Sequence, residues 1–340
     1  MSAGHPQHFT VRTWQPGDEA ALLSLHNSAY TGHPDRAMAH WHWKHHANPL
    51  GRVEIVLATN DEGRYLVVYS GVIFPAILDG EDCHVGVHLD VAVETNLRQG
   101  IGASRPLIAT MRRFVHEYGG GETPFAWGFP EPPLQRIGQR FAMLQVLRDV
   151  VFLVRAVHPA PSPGTQPSTV SGSVTVRAIH RYDGDADALW QQCRGDIGTG
   201  VRRDACYLNW RYADHPDVQY TLLEARDEHS NTLRGIAVFR GGGWDPTCLS
   251  VLDWLVPNDD METEATLLEH LDDAASALGK TWLVTWVTGS PDRFQRFQRE
   301  HRFFAQLTPY QVSFKSWPSF ARRRWLAEHW YQTMGDIDFF

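Results

Sequence analysis

The sequence predicts an α+β fold of two tandem domains, each a mixed, mostly antiparallel sheet flanked by helices in three layers. Three observations predict it. Short stretches rich in Val, Ile, Phe and Tyr alternate in polarity or run apolar, as pleated strands do. Longer stretches with a helical apolar period and acidic starts lie among them. Near the middle of the 340-residue chain, residues 158–173 (HPAPSPGTQPSTVSGS) form a Pro/Ser/Gly/Thr run with no apolar period, which reads as a linker. The expected domains are therefore residues 1–157 and 174–340.

In the first half, Phe9–Thr13 reads as a strand and residues 18–30 as a helix with an acidic first turn. Residues 36–44 form a second helix. Residues 54–59, 65–74 and 83–93 are antiparallel strands, with Asp61-Glu62-Gly63 and Asp79-Gly80 supplying the hairpin turns. Ser104–Tyr118 is a helix, Phe125–Gly128 a strand, residues 134–141 a helix and residues 146–157 a final strand. The second half echoes the first. Phe9-Thr10-Val11-Arg12 matches Val174-Thr175-Val176-Arg177, and Trp43-Lys44 with Pro49 matches Trp210-Arg211 with Pro216. Leu134-Gln135-Arg136 matches Phe294-Gln295-Arg296. Three matches in one order imply a duplicated domain.

The stretch from Cys83 to Tyr118 carries the strongest chemical signal. A β-branched strand ends in the turn Arg98-Gln99-Gly100-Ile101-Gly102-Ala103-Ser104, which opens into a helix. The first N–H groups of a helix have no intrahelical partner and sit at the positive end of its dipole, so such a junction attracts an anion. Glycines at 100 and 102 let the backbone come close to a bulky phosphate, and Arg98 adds charge at the mouth. A G-x-x-x-x-G-K-[ST] loop is absent, and so are the third glycine and downstream acid of a dinucleotide fingerprint.

With Asp90-Val91-Ala92-Val93 in the strand, Arg98 and Gly100-Ile101-Gly102 in the loop, and Leu107 in the helix, the stretch resembles the acetyl-CoA-binding signature of the GNAT N-acetyltransferases. The order of elements in the first half is similar to that family's. The resemblance implies acetyl-CoA as co-substrate, held by residues 98–104 and by the backbones of Val91, Ala92 and Val93 on a strand that splays from its neighbour. It implies direct attack of a small-molecule primary amine on the thioester, the amine being an amino sugar in some tandem relatives. Asp90 and Glu94 are the carboxylates on that strand and share a face if it is regular, which makes them candidate bases. Glu131 stands where the family often has Asn and would orient substrate or the CoA arm, and Tyr30, Tyr69 or bulk water is left to serve as acid. In one multi-domain type the chain's terminal carboxylate, here that of Phe340, reaches the site.

The second half lacks this chemistry. Between the strand at 249–256 and the helix at 263–278 stands Pro257-Asn258-Asp259-Asp260-Met261-Glu262, with no glycine, no arginine and three acids. It is expected to be a degenerate domain that packs and closes one side of the substrate cleft.

Composition narrows the classes. The formal charge of −8 disfavours a nucleic-acid partner, including the charged tRNA of a Fem-like aminoacyl transferase, the first alternative function. A non-catalytic CoA-binding or protein-interaction module is the second. Four scattered cysteines and the mixed run His40-Trp41-His42-Trp43-Lys44-His45-His46 show no zinc-ligand spacing, so no metal is expected. No apolar run is long enough to span a bilayer and the N-terminus does not read as a signal peptide, so a cytoplasmic protein is expected.

Overall fold

The computed structural model describes residues 8–98, 104–158, 173–317 and 322–337. The elements run β1 (Phe9–Thr13), α1 (Glu19–Ala29), α2 (Met38–His45), β2 (Glu54–Asn60), β3 (Tyr65–Leu78), β4 (Glu81–Val93), α3 (Ser104–Tyr118), β5 (Phe125–Gly128), α4 (Pro132–Phe141) and β6 (Gln145–Ala156). The same order then recurs. It runs β7 (Val174–Ile179), α5 (Gly184–Ile197), the short β8 (Gly200–Val201), α6 (Ala205–Leu208), β9 (Thr221–Asp227), β10 (Leu233–Gly241) and β11 (Cys248–Leu255). It continues with α7 (Met261–Ala277), β12 (Trp282–Thr285), the short β13 (Val287–Thr288), α8 (Pro291–Arg299) and β14 (Phe304–Ser316). The chain ends in α9 (Arg323–His329) and β15 (Gln332–Thr333). This is the mixed, mostly antiparallel α+β architecture that the alternation and helical periods predict.

The chain divides into two compact units. The first holds Met1–Pro75, Cys83–Arg148 and Gln311–Arg322; the second holds Ala76–Asp82, Asp149–Tyr310 and Arg323–Phe340. A cut at residues 158–173 would leave β6 whole in one unit and β14 whole in the other. The division instead runs through both strands, because their two ends find different partners. Residues 153–156 of β6 pair antiparallel with β12, and residues 313–316 of β14 pair antiparallel with β5.

In the first unit the sheet runs β1-β2-β3-β4-β5 and ends on the last residues of β14. Its strands are apolar on both faces because helices cover both. Val56 and Ala58 of β2 pack with Leu107, Met111 and Phe114 of α3, whereas Ile55 and Leu57 pack with Leu22, Leu25 and Trp41 of α1 and α2. That period of two is the strand's own, and it explains why β2 reads as a continuous apolar run. In the second unit β6, β12, β11, β10, β9 and β7 are neighbours in that order, and α7 and α8 pack on them through Leu267, Leu271 and Phe297 around Trp254. Among the described residues no helix is long and apolar enough to cross a membrane.

Candidate active site

β4 and β5 run parallel and then part. Their ladder covers only Gly86 and Val87 against Ala126 and Trp127, although β4 continues to Val93. At the fork the backbones come very close: a Cβ on Gly128 would stand 2.8 Å from the carbonyl oxygen of His88, so only glycine fits. Past the fork, Asp90 adopts a positive φ of 49°. A non-glycine residue pays for this left-handed conformation unless its surroundings hold it there.

Side chains from α1, α2 and the segment joining them hold it. Arg36 Nη1 donates to Asp90 Oδ1 at 2.5 Å, and Lys44 Nζ lies 3.2 and 3.0 Å from the two oxygens. His26 Nε2 is 3.6 Å and His45 Nε2 3.9 Å from the same carboxylate. Lys44 is only 2% exposed, so its ammonium has left water for this ion pair. Burial works to raise the pKa of Asp90, but the charges of Arg36 and Lys44 outweigh it and hold the carboxyl well below its ordinary range. Such a carboxylate is a poor proton acceptor. Asp90 is also kinked out of regular alternation, so the expected common face with Glu94 does not exist.

The remaining residues expected at the site are spread along the same path. Glu94 accepts from Arg64 Nη2 at 2.5 Å and from the backbone and side-chain amides of Asn96 at 3.2 and 3.0 Å. It thereby closes the turn that follows β4. Ala92 is buried on the α1/α2 side, while Val91 and Val93 pack on the α3 side. The Tyr30 hydroxyl donates to the Val91 carbonyl at 2.9 Å. Arg98 ends a 3₁₀ turn and Ser104 begins α3, whose first turn carries no acidic residue. Gln99, Gly100, Ile101, Gly102 and Ala103, and at the far end Phe340, lie outside the described residues. Glu131 is exposed just before α4, with no capping bond from its side chain. Tyr69 is buried with its hydroxyl 3.1 Å from His88 Nδ1, and burial holds the His88 ring neutral by lowering its pKa to about 4.

Comparison with solved structures supplies the fold's name. The sequence matches no protein-family model and no curated protein. A probable N-acyltransferase from Enterococcus faecalis has the same fold with a TM-score of 0.67 at 10% identity, over 90% of this chain and 72% of its own. A GCN5-related N-acetyltransferase from Kribbella flavida gives 0.58 at 13% identity, over 92% and 71%. A GCN5-related glucosamine N-acetyltransferase region of a fungal multi-domain GH3 β-N-acetylglucosaminidase gives 0.56 at 11%, over 92% of this chain and 38% of that one. The chain has the GCN5-related N-acetyltransferase fold.

Within that fold the second unit treats its helix start differently. Asp260 caps α7, accepting from the Thr263 N–H at 3.0 Å, and Arg234 forks onto the same carboxylate at 2.7 and 2.9 Å. Glu262 takes the Ser173 N–H at 2.7 Å. The positive end of α7 is thus occupied by the chain's own carboxylates.

Two features escaped the sequence reading. Lys44 was visible only as part of a Trp/His-rich run and Arg36 only as the start of a helix, and nothing local links them to Asp90. Glu54 opens β2 just before the apolar run Ile55-Val56-Leu57-Ala58. It is 3% exposed, its Oε1 has no hydrogen-bond partner, and Arg52 lies 3.5 Å away. Burial raises its pKa to about 7, which Arg52 offsets only in part. Its sole signal was one charged letter before Ile55-Val56-Leu57. Among the described residues no group of three or more His, Cys, Asp or Glu side chains is placed to hold a metal ion.

Proposed function

We propose that the first unit is an acetyl-CoA-dependent N-acetyltransferase acting on a small primary amine, and that the two units arose by tandem duplication with the cofactor site lost from the second. One observation carries this reading. β4 parts from β5 after Val87, and its free end leads past Val93 to an Arg/Gly sequence and a helix whose first turn is free of acids. A pantetheine arm would lie along residues 89–93, hydrogen-bonded to the backbones of Val91 and Val93, with the pyrophosphate on residues 98–104. The amine attacks the thioester carbonyl directly, the C–S bond breaks, and the thiolate takes a proton. The ammonium proton leaves before attack. Asp90 is too weak a base for that and serves instead to fix the bulge of β4. Glu94 and Glu131 then act, if at all, through water. In the second unit Asp260, Glu262 and Arg234 fill the corresponding helix start, so that unit supports the fold without binding cofactor. The fungal structure acts on glucosamine by its description, which places amino sugars among the acceptors to try. A cytoplasmic location follows from dependence on acetyl-CoA.

Isothermal titration of the full chain with acetyl-CoA tests this. A saturable heat is expected, weakened at least about tenfold by Gly102→Asp, which puts a negative charge where the phosphate would sit. No heat, or binding undiminished by that change, would favour a non-catalytic module and end the acetyltransferase reading.

A further inference from the structure

Three polar side chains of the first unit lie in one row across its sheet, with glycines between them. Glu54 of β2 pairs with Gly71 of β3, and Ser313 of β14 pairs with Gly128 of β5. His88 of β4 stands in the middle. A Cβ on Gly71 would meet the Val87 carbonyl oxygen at 2.9 Å, and one on Gly128 would meet the His88 Cβ at 3.4 Å. Residues opposite each other in an antiparallel pair project to the same face. That face is covered by α3: the rings of His88 and Phe114 meet edge to face at 5.4 Å, and a Cβ on Gly71 would lie 2.8 Å from the Phe114 ring. The glycines put no side chain of their own between Glu54 and His88, or between His88 and Ser313.

The row has unmet hydrogen bonds. Glu54 Oε1 and Ser313 Oγ are buried without a partner, their residues 3% and 2% exposed. His88 Nδ1 lies beside the Tyr69 hydroxyl, and no described residue bonds to its Nε2. A cavity with room for about one water has both Glu54 and His88 in its wall. Gly86, Val87 and Ala126 line it too, and these are among the last residues at which β4 and β5 are still paired.

We propose that His88 is the catalytic base of the first unit and that Glu54, acting through a water in this cavity, is its positioning partner. This deepens the acetyltransferase reading and rests on it for the reaction. A pantetheine arm running from residue 93 toward 89 brings the thioester to the closed end of the fork, where His88 stands. With Nδ1–H donated to the Tyr69 oxygen, Nε2 is the ring's acceptor. As the C–N bond forms, the attacking nitrogen gives a proton to Nε2. As the C–S bond breaks, that proton passes to the sulfur, so the ring ends neutral and the products are an amide and a free thiol. Burial keeps the ring neutral until the attack. Ionised Glu54 then faces the short-lived imidazolium, as the acid of a catalytic triad faces its histidine. Ser313, across Gly128, offers its hydroxyl to the sulfur as charge develops there.

The test uses the full chain. Acetyl-CoA affinity is measured first, then thiol release across about pH 5–9 with glucosamine and butylamine as acceptors. His88→Gln should lower kcat about 100-fold or more, with KM and acetyl-CoA affinity within about threefold. In the unaltered chain kcat should rise as Glu54 ionises near about 7. Glu54→Gln should lower the high-pH rate about tenfold and leave only the rise that the amine's own deprotonation gives. The other titratable groups around Glu54 are Arg52, Tyr118 of α3, His88 of β4, and Lys315 of β14 beyond the Trp317 ring, and the variant leaves all of them in place. A kcat within about twofold in His88→Gln, or an unaltered pH profile in Glu54→Gln, overturns the proposal. If His88→Gln loses acetyl-CoA binding, Tyr69→Phe takes its place. It frees only Nδ1 and should lower kcat about fivefold, and an unchanged kcat overturns the proposal. If acetyl-CoA binds and neither amine releases thiol, the His88 ring-proton resonance decides, identified by its absence from His88→Gln. Its displacement by acetyl-CoA, altered in Glu54→Gln, supports the pair, and an unmoved resonance overturns it. Absence of acetyl-CoA binding overturns the acetyltransferase reading and the base with it, whereas each of the other failures leaves that reading intact.

Discussion

The two units share a framework and surround its aspartate differently. Each has an arginine before a Trp-Lys or Trp-Arg pair, and each brings that arginine to an aspartate in the strand that precedes a long helix. In the second unit that aspartate is bound by an arginine removed from water: Arg203 is 0% exposed, and residues 331–337 are buried beside it. In the first unit Arg36 keeps 24% of its side-chain surface and the aspartate borders a cavity. The helix starts differ in the same sense, since α7 carries its own acids and α3 carries none in its first turn. The difference teaches that one apolar frame can carry two different sets of polar partners.

The largest effect should come from breaking the filled site. Arg203→Met leaves Asp253 and Asp336 buried without their shared cation and is expected to cost about 3–5 kcal/mol in urea denaturation of the full chain. Arg36→Met should cost only about 1–2 kcal/mol, because water reaches that guanidinium and Lys44 still faces Asp90. Equal costs would mean that the greater exposure of Arg36 does not weaken what its ion pair contributes.

Glu54 gives the next largest effect, and its counterpart sharpens the comparison. The first residue of β2 is a buried glutamate, and that of β9 is Thr221, which carries no charge. Burial raises the Glu54 pKa from 4.5 to about 7, so the folded chain binds this proton more tightly than the unfolded chain does. Its contribution is therefore fully present below pH 4.5 and is lost as pH rises toward about 7, reaching roughly 3 kcal/mol. Glu54→Gln should remove that dependence, stabilising the protein by about 2–3 kcal/mol at pH 8 and hardly at all at pH 4. Urea midpoints at the two pH values measure it, and a pH-independent difference would refute the assignment of Glu54 as the buried acid.

Much of the frame was legible because the apolar period is a local property. Alternation at 54–59 and 83–93 and the helical period at 104–118 are written in consecutive letters, and β2, β4 and α3 fall there. The site was less legible because its geometry is set from a distance. Asp90 and Glu94 were expected to share a face, but partners 54 and 46 residues away hold Asp90 at positive φ. Where β6 and β14 divide between the units was equally hidden, since alternation says which face a residue takes and nothing about which strand lies beside it. The repeated aspartate was in plain view in Leu89-Asp90-Val91 and Leu252-Asp253-Trp254, yet it gained meaning only once the arginines were seen beside it.

The smallest of these effects probes the helix starts. Asp260 is both the cap of α7 and the partner of Arg234. Burial works against its charge, but the Arg234 and Thr263 bonds prevail and hold its pKa below 3.8. Asp260→Ala removes one cap and one partly exposed ion pair, an expected loss of about 1–2 kcal/mol. Because the folded pKa is lowered, the loss should be full above pH 3.8 and shrink as pH falls through the folded value. The same variant should leave the heat of acetyl-CoA binding unchanged, since in this account the cofactor belongs to α3 and not to α7. A variant that binds a second equivalent of acetyl-CoA would show instead that Asp260 alone closes a cradle the second unit still possesses.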